Sequence, residues 1–127
     1  MPLKSVVSER CRAFLAAGEE IRYLFPAMSL MISGMQLAAG YLVVVTERRV
    51  VVLACSRWRR NAPQSVWADH PRGTRLGPVE VHPSLGPTVR IGDLTLEVDE
   101  EYVPVIRAAD LELDGGRGSP EDPLPDL

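Results

Sequence analysis

The stretch Tyr41–Leu53 limits what this chain can fold into more than any other. It reads Tyr-Leu-Val-Val-Val, then Thr46-Glu47-Arg48-Arg49, then Val-Val-Val-Leu. Valine loses side-chain freedom in a helix and packs well on a pleated surface. Two such runs about a polar tetrad therefore predict a β-hairpin. Neither arm alternates apolar with polar residues, which predicts that both faces of the hairpin are covered. The rest of the chain has to supply those covers.

Before the hairpin, Lys4–Ala17 reads as a helix. Val7, Cys11, Phe14 and Leu15 recur at helical spacing, Ser5 is placed to cap the start and Gly18 to stop it. Glu20–Ser33 reads as extended, with Ile21, Tyr23 and Phe25 on one face, and Met28, Leu30 and Ile32 resuming the alternation. Pro26 cannot donate to a ladder, so it marks a bulge or an edge. Gly34–Gly40 is a loop between glycines. After the hairpin, Ser65–Asp69 is a short strand with Val66 and Ala68 on one face, and Leu76–His82 is another. Thr88–Ile91 and Leu94–Val98 flank Gly92-Asp93, a pair suited to a two-residue turn. Asp99–Leu113 is the closing helix, capped by Asp99, with Tyr102, Val103, Ile106 and Leu111 as its apolar stripe and Pro104 tolerated in the first turn.

The fold class expected is mainly β: about seven short antiparallel strands between two helices, forming a small bent barrel closed at one end by the last helix. The expected divisions are an N-terminal helix over 1–18, the barrel with its helix over 19–113, and a tail over 114–127. That tail is rich in Gly, Pro and acids and poor in apolar surface, a composition of disorder. Ala27–Val45 is nearly uncharged and long enough for a membrane span. Gln36, the glycines and serines within it, and the second valine run beyond Arg48-Arg49 favour the hairpin.

Charge is bipolar. Arg48–Arg90 holds eight Arg and no Lys against Asp69 and Glu80, a balance of +6, while Ile91–Leu127 carries −9. The two segments can pair with each other, or the basic one can face an anionic partner. Cys11 and Cys55 have no metal-ligand spacing, and Met1–Arg12 lacks a secretory apolar core. Free thiols in a cytoplasmic protein are expected.

Ala17-Gly18-Glu19-Glu20-Ile21 and Gly40-Tyr41-Leu42-Val43-Val44-Val45-Thr46-Glu47-Arg48-Arg49-Val50, followed by the Ile91–Leu96 hairpin and a closing helix, resemble bacterial pleckstrin-homology-like domains, relatives of PH and GRAM modules. The tetrad Thr46, Glu47, Arg48 and Arg49 is the fold-defining turn of that resemblance, with Glu47 where the family more often has Asp or Asn. Thr46 is placed to bond its own turn, and Arg49 to satisfy carbonyls or pair across strands. The resemblance implies a seven-stranded bent barrel capped by a helix, no enzyme activity, and binding of either a lipid head group or a protein.

Arg57, Trp58, Arg59 and Arg60 form the sharpest local feature. They suit either a phosphate-facing loop with Trp58 at a membrane interface, or a strand end whose arginines are solvated or paired with the acidic closing segment. Arg72 and Arg75 can extend the patch. With Lys4 the only lysine, the lipid reading is the weaker one. Met28, Met31 and Met35 either fill the core or dock on a partner or a second copy. Asp69-His70 with His82 meets no ligand spacing and lacks a third oriented partner, and Glu19-Glu20 and Asp99-Glu100-Glu101 are explained by capping and solvation. No catalytic residue, metal, cofactor, nucleic acid or small-molecule substrate is expected. The function expected is a non-enzymatic binding or scaffolding module acting through protein contacts or self-association. The alternative is a module peripheral to the membrane that binds anionic lipid through arginines.

Overall fold

In the computed structural model, residues 5–29, 39–56, 62–81, 86–92 and 94–115 are described. Helix α1 (Ser5–Arg12) precedes strands β1 (Ile21–Ser29), β2 (Ala39–Thr46), β3 (Arg49–Cys55), β4 (Pro63–Pro71), β5 (Glu80–Val81), β6 (Pro87–Ile91) and β7 (Leu94–Glu97). A 3-10 turn (Glu100–Tyr102) then leads into α2 (Val103–Gly115). The strands form one antiparallel sheet in the order β4-β3-β2-β1-β7-β6-β5.

The central hairpin is β2–β3, with Val43 opposite Val52 and Val44 opposite Val51. Its two faces belong to two cores. Tyr41, Val43, Val45, Val50 and Val52 join Phe25, Leu76, Ile91, Leu96, Ile106 and Ala109 in an inner cluster. Leu42, Val44, Val51 and Leu53 face outward, where Val7 and Cys11 of α1 cover them. All eight hairpin residues 42–45 and 50–53 are inaccessible to solvent. Each such burial contributes roughly 1.5–3 kcal/mol relative to exposure. Residues 27–29 and 39–45 lie in strands, and no helix among the described residues is long and apolar enough to cross a membrane.

The sheet does not close into the expected barrel. It ends at β4 on one side and at the two-residue β5 on the other, and among the described residues no ladder joins them. The intervening segment 72–79 holds no strand. Its polar groups bind α2 instead, so the helix rather than hydrogen-bonded strands covers the gap. β4 is unsuited to a longer ladder. Pro63 and Pro71 bound it, and two register shifts interrupt its pairing with β3. Such features protect an edge from further pairing.

Several local expectations change. α1 stops at Arg12 rather than Ala17. Tighter i to i−3 bonds follow, from the amides of Ala13, Phe14 and Leu15, and Gly18 takes φ +81° further on, a conformation cheap only for glycine. A register shift at Arg22 puts Ile21 on the outer face and Tyr23 and Phe25 on the inner one. Another at Trp67 sets Ala68 opposite inner Val52 and Val66 opposite outer Leu53, so Val66 and Ala68 do not share a face. Pro26 sits where β1 pairs only with β2, since β7 reaches no further than Met28 and Ser29. Ile91 pairs with Leu94 across the expected two-residue turn, with Gly92 at φ +62°.

Asp99 makes no side-chain cap; its carbonyl accepts from the Tyr102 amide. On α2 the buried stripe is Tyr102, Ile106 and Ala109, while Leu111 is 68% exposed. Positions 102, 106 and 109 follow the helical period, whereas 111 lies well around the cylinder from 106. The helix also extends through Asp114 and Gly115, and the remaining tail, 116–127, lies outside the described residues. In urea titrations, Ile106→Ala is expected to lower stability by about 2–5 kcal/mol and Leu111→Ala by less than about 0.5 kcal/mol. Equal losses would contradict this assignment of faces.

Candidate functional site

The turn after β2 is built on a buried carboxylate. Thr46 Oγ1 accepts from the amides of Arg48 and Arg49, both at 3.1 Å, and donates to Glu19 Oε2 at 2.6 Å. Arg49 grips the same carboxylate with a fork, Nε to Oε2 at 2.9 Å and Nη2 to Oε1 at 3.0 Å. The Ala16 amide adds a fourth donor at 2.9 Å. Arg49 further donates to Asp69 on β4 and to the Phe14 carbonyl. Glu19, read from sequence as a solvated capping residue, is instead 7% exposed. A carboxylate at that depth is tolerable because every side of it meets a donor. The Arg49 hydrogen bonds, foremost, and that of Thr46 hold its carboxyl down at about 2, against the opposing effect of burial. The network ties the α1–β1 connection to both ends of the central turn and to β4. Its geometry serves the fold and presents nothing for a ligand to take.

A second polar group fastens α2. Glu112 accepts from Arg22 at 2.9 Å, from Tyr23 at 3.2 Å and from Arg72 at 3.0 Å, and Arg72 also donates to the Ala109 carbonyl. The Arg22 guanidinium above all keeps the Glu112 carboxyl below its usual range. Arg75 pairs with Asp114. Thus Arg72 and Arg75 turn toward the acidic closing helix, the internal pairing of basic and acidic segments that the charge pattern allows.

Between the 77–79 segment and α2 lies a groove of about 270 Å³, lined by Gly77, Pro78, Val79, Ile106, Arg107 and Leu111, with Asp110 and Asp114 beside them. Asp110 holds the wall that faces α2. One carboxylate accepts from the Leu76 amide at 2.9 Å and the Gly77 amide at 2.8 Å. A Cβ on Gly77 would lie 3.0 Å from Asp110 Oδ2 and 3.2 Å from the Val79 nitrogen, so a larger residue there would press on both. The floor is apolar, and exposed Leu111 forms part of it. Val81 on the β5 edge is likewise 74% exposed.

Arg57, Trp58, Arg59, Arg60, Met31, Met35 and His82 lie outside the described residues. The β3–β4 connection bearing the arginines starts and ends at a bond from the Ser56 amide to the Ala62 carbonyl. Met28 is 40% exposed, opposite Gly40. Trp67, not singled out from sequence, packs edge-on against Tyr41 with ring centroids 5.7 Å apart. Cys11 and Cys55 are free, both thiols pushed up to about 11 by burial. Among the described residues no group of three His, Cys, Asp or Glu can hold a metal ion. The groove residues escaped sequence reading because they meet only in the fold. The one local signal was Leu111, an apolar residue out of phase with Ile106 and Ala109.

The depressed Glu19 carboxyl sets a pH dependence. A group at about 2 when folded and near 4.5 ordinarily contributes stability that is full above about pH 4.5 and is lost as pH falls toward 2. Glu19→Gln is expected to cost about 2–4 kcal/mol at pH 7 and to flatten the acid limb of stability against pH between 4.5 and 2. An acid limb unchanged by this substitution would contradict the network. No protein-family model, curated protein or solved structure matches this chain.

Proposed function

We propose that this chain is a non-enzymatic, pleckstrin-homology-like binding module whose groove between residues 77–79 and α2 receives an extended segment of a partner protein. The fold part of this reading is supported by the strand order. A four-stranded meander, β1 to β4, and a three-stranded one, β5 to β7, meet through β1 and β7, and a C-terminal helix lies over the inner core.

The observation that carries the binding part is the groove itself. Its floor joins solvent-exposed Leu111 to Val79 and Pro78. A small domain that leaves a large aliphatic side chain such as Leu111 in water along a concave wall gains by covering it. An extended chain places alternate side chains on one side, and one of them would lie on that floor. Arg72 and Arg75, already held by Glu112, Asp114 and the Ala109 carbonyl, carry no part of this reading.

A random-peptide display screen against the full chain tests it, followed by titration of selected peptides into native protein and Leu111→Glu. Peptides are expected to bind the native chain and to weaken at least tenfold with Leu111→Glu, whose melting temperature stays within a few degrees of native because residue 111 is exposed. Selected peptides that bind both proteins equally, or no selected peptides at all, would contradict it.

A further inference from the structure

Resting on the groove as a peptide seat, we infer that Asp110 is its positioning residue, whose carboxylate acts on an occupant through the wall at residues 76 and 77 rather than by bonding to it.

The acids of α2 stand at the end where the helix itself disfavours them. Residues 110–115 hold Asp110, Glu112 and Asp114, and the last turn has no base. Negative charge there opposes the helix dipole. Each acid is matched from outside the helix instead. Glu112 accepts from Arg22, Tyr23 and Arg72, and Asp114 pairs with Arg75. Asp110 differs from both, because its partners are backbone amides, Leu76 at 2.9 Å and Gly77 at 2.8 Å. A long arginine side chain tolerates movement of the backbone that bears it, and two successive amides do not. Asp110 therefore fixes the backbone itself, in a segment, 72–79, that no strand ladder holds.

That backbone is the wall of the groove. Leu76 buries its side chain in the inner core, in one cluster with Ile106 and Ala109, and Gly77, Pro78 and Val79 follow as lining. The fit is close, since Oδ2 lies 3.0 Å from where a Cβ on Gly77 would stand. The distance between wall and helix, and with it the width of the seat, follows from this one carboxylate. Asparagine keeps one acceptor oxygen and sets an N–H against the second amide, so it holds the wall at one point. Alanine holds it at none.

Amide hydrogen exchange and titration with the display-selected peptides test this on the full chain, in native protein, Asp110→Asn and Asp110→Ala. In Asp110→Ala the Leu76 and Gly77 amides are expected to lose about tenfold more protection than those of β2–β3, and in Asp110→Asn one of the two keeps it. The peptides are expected to weaken about tenfold with Asp110→Ala and less with Asp110→Asn. Bound to native protein, they leave both amides protected. Amides that keep their protection in Asp110→Ala, or peptides that bind it as tightly as native protein, would overturn the positioning role and leave the seat standing, since Leu111→Glu tests the seat separately. Protection lost at residues 76 and 77 when a peptide binds native protein would show the carboxylate leaving the wall for the peptide, and would also overturn the role. A display screen that selects nothing would overturn the seat and this role with it. Asp110→Asn carries the same comparisons if Asp110→Ala does not fold.

Discussion

The Glu19 carboxylate, clasped by Thr46, Arg49 and the Ala16 amide, is the contact on which the rest of the structure depends. It lies where three separate parts of the chain meet: the connection out of α1, the turn between β2 and β3, and the end of β4 through Asp69. A buried charge of this kind is a poor source of net stability compared with a well-packed apolar group of similar size. Its value is that it permits one arrangement. Thr46 satisfies two turn amides only if the turn is tight, and Arg49 reaches Glu19 only if the chain crosses the hairpin at that point. The aliphatic arms next to it would tolerate a slip in register far better than this cluster does, since a valine replaced by a neighbouring valine still packs.

Once that corner is set, the two-sided hairpin dictates the layers. Its inner face needs the curl of β1, β6 and β7 together with α2, and its outer face needs α1 with Phe14 and Leu15. The helices are therefore parts of two distinct cores that share one pair of strands. Because the sheet remains open between β4 and β5, α2 has a second task. Glu112, Asp114 and Asp110 fasten it to Arg22, Tyr23, Arg72, Arg75 and the amides of 76 and 77. The groove lies along this polar seam. The groove and the closure thus share one helix, with buried Ile106 facing the core and Leu111 exposed.

Much of this was legible from residues alone where the cause is local. The valine runs about Thr46–Arg49, the Gly92 turn and the two terminal helices follow from side-chain shape and spacing over a few residues. What stayed hidden depends on contacts across the chain. The shifts at Arg22 and Trp67 each reverse the faces of the residues beyond them, and nothing in the alternation of Ile21, Tyr23 and Phe25 or of Val66 and Ala68 marks an extra residue. Glu19 read as solvated because its partners lie about thirty positions away, at Thr46 and Arg49. Asp99 read as a cap because its type suits one, yet a 3-10 turn took the position. The groove joins residues 77–79 to 106–111, a pairing that only the packed α2 creates.

Native-state hydrogen exchange tests the central claim most directly, namely that the corner set by Glu19 and the β2–β3 hairpin covered on both faces hold the rest of the fold together. The amides that bridge residues 42–45 and 50–53 are expected to exchange only through global unfolding, with free energies matching that from denaturant titration, while those of β4 and α1 exchange through smaller openings. Hairpin amides that exchange as readily as those of β4 would contradict the account.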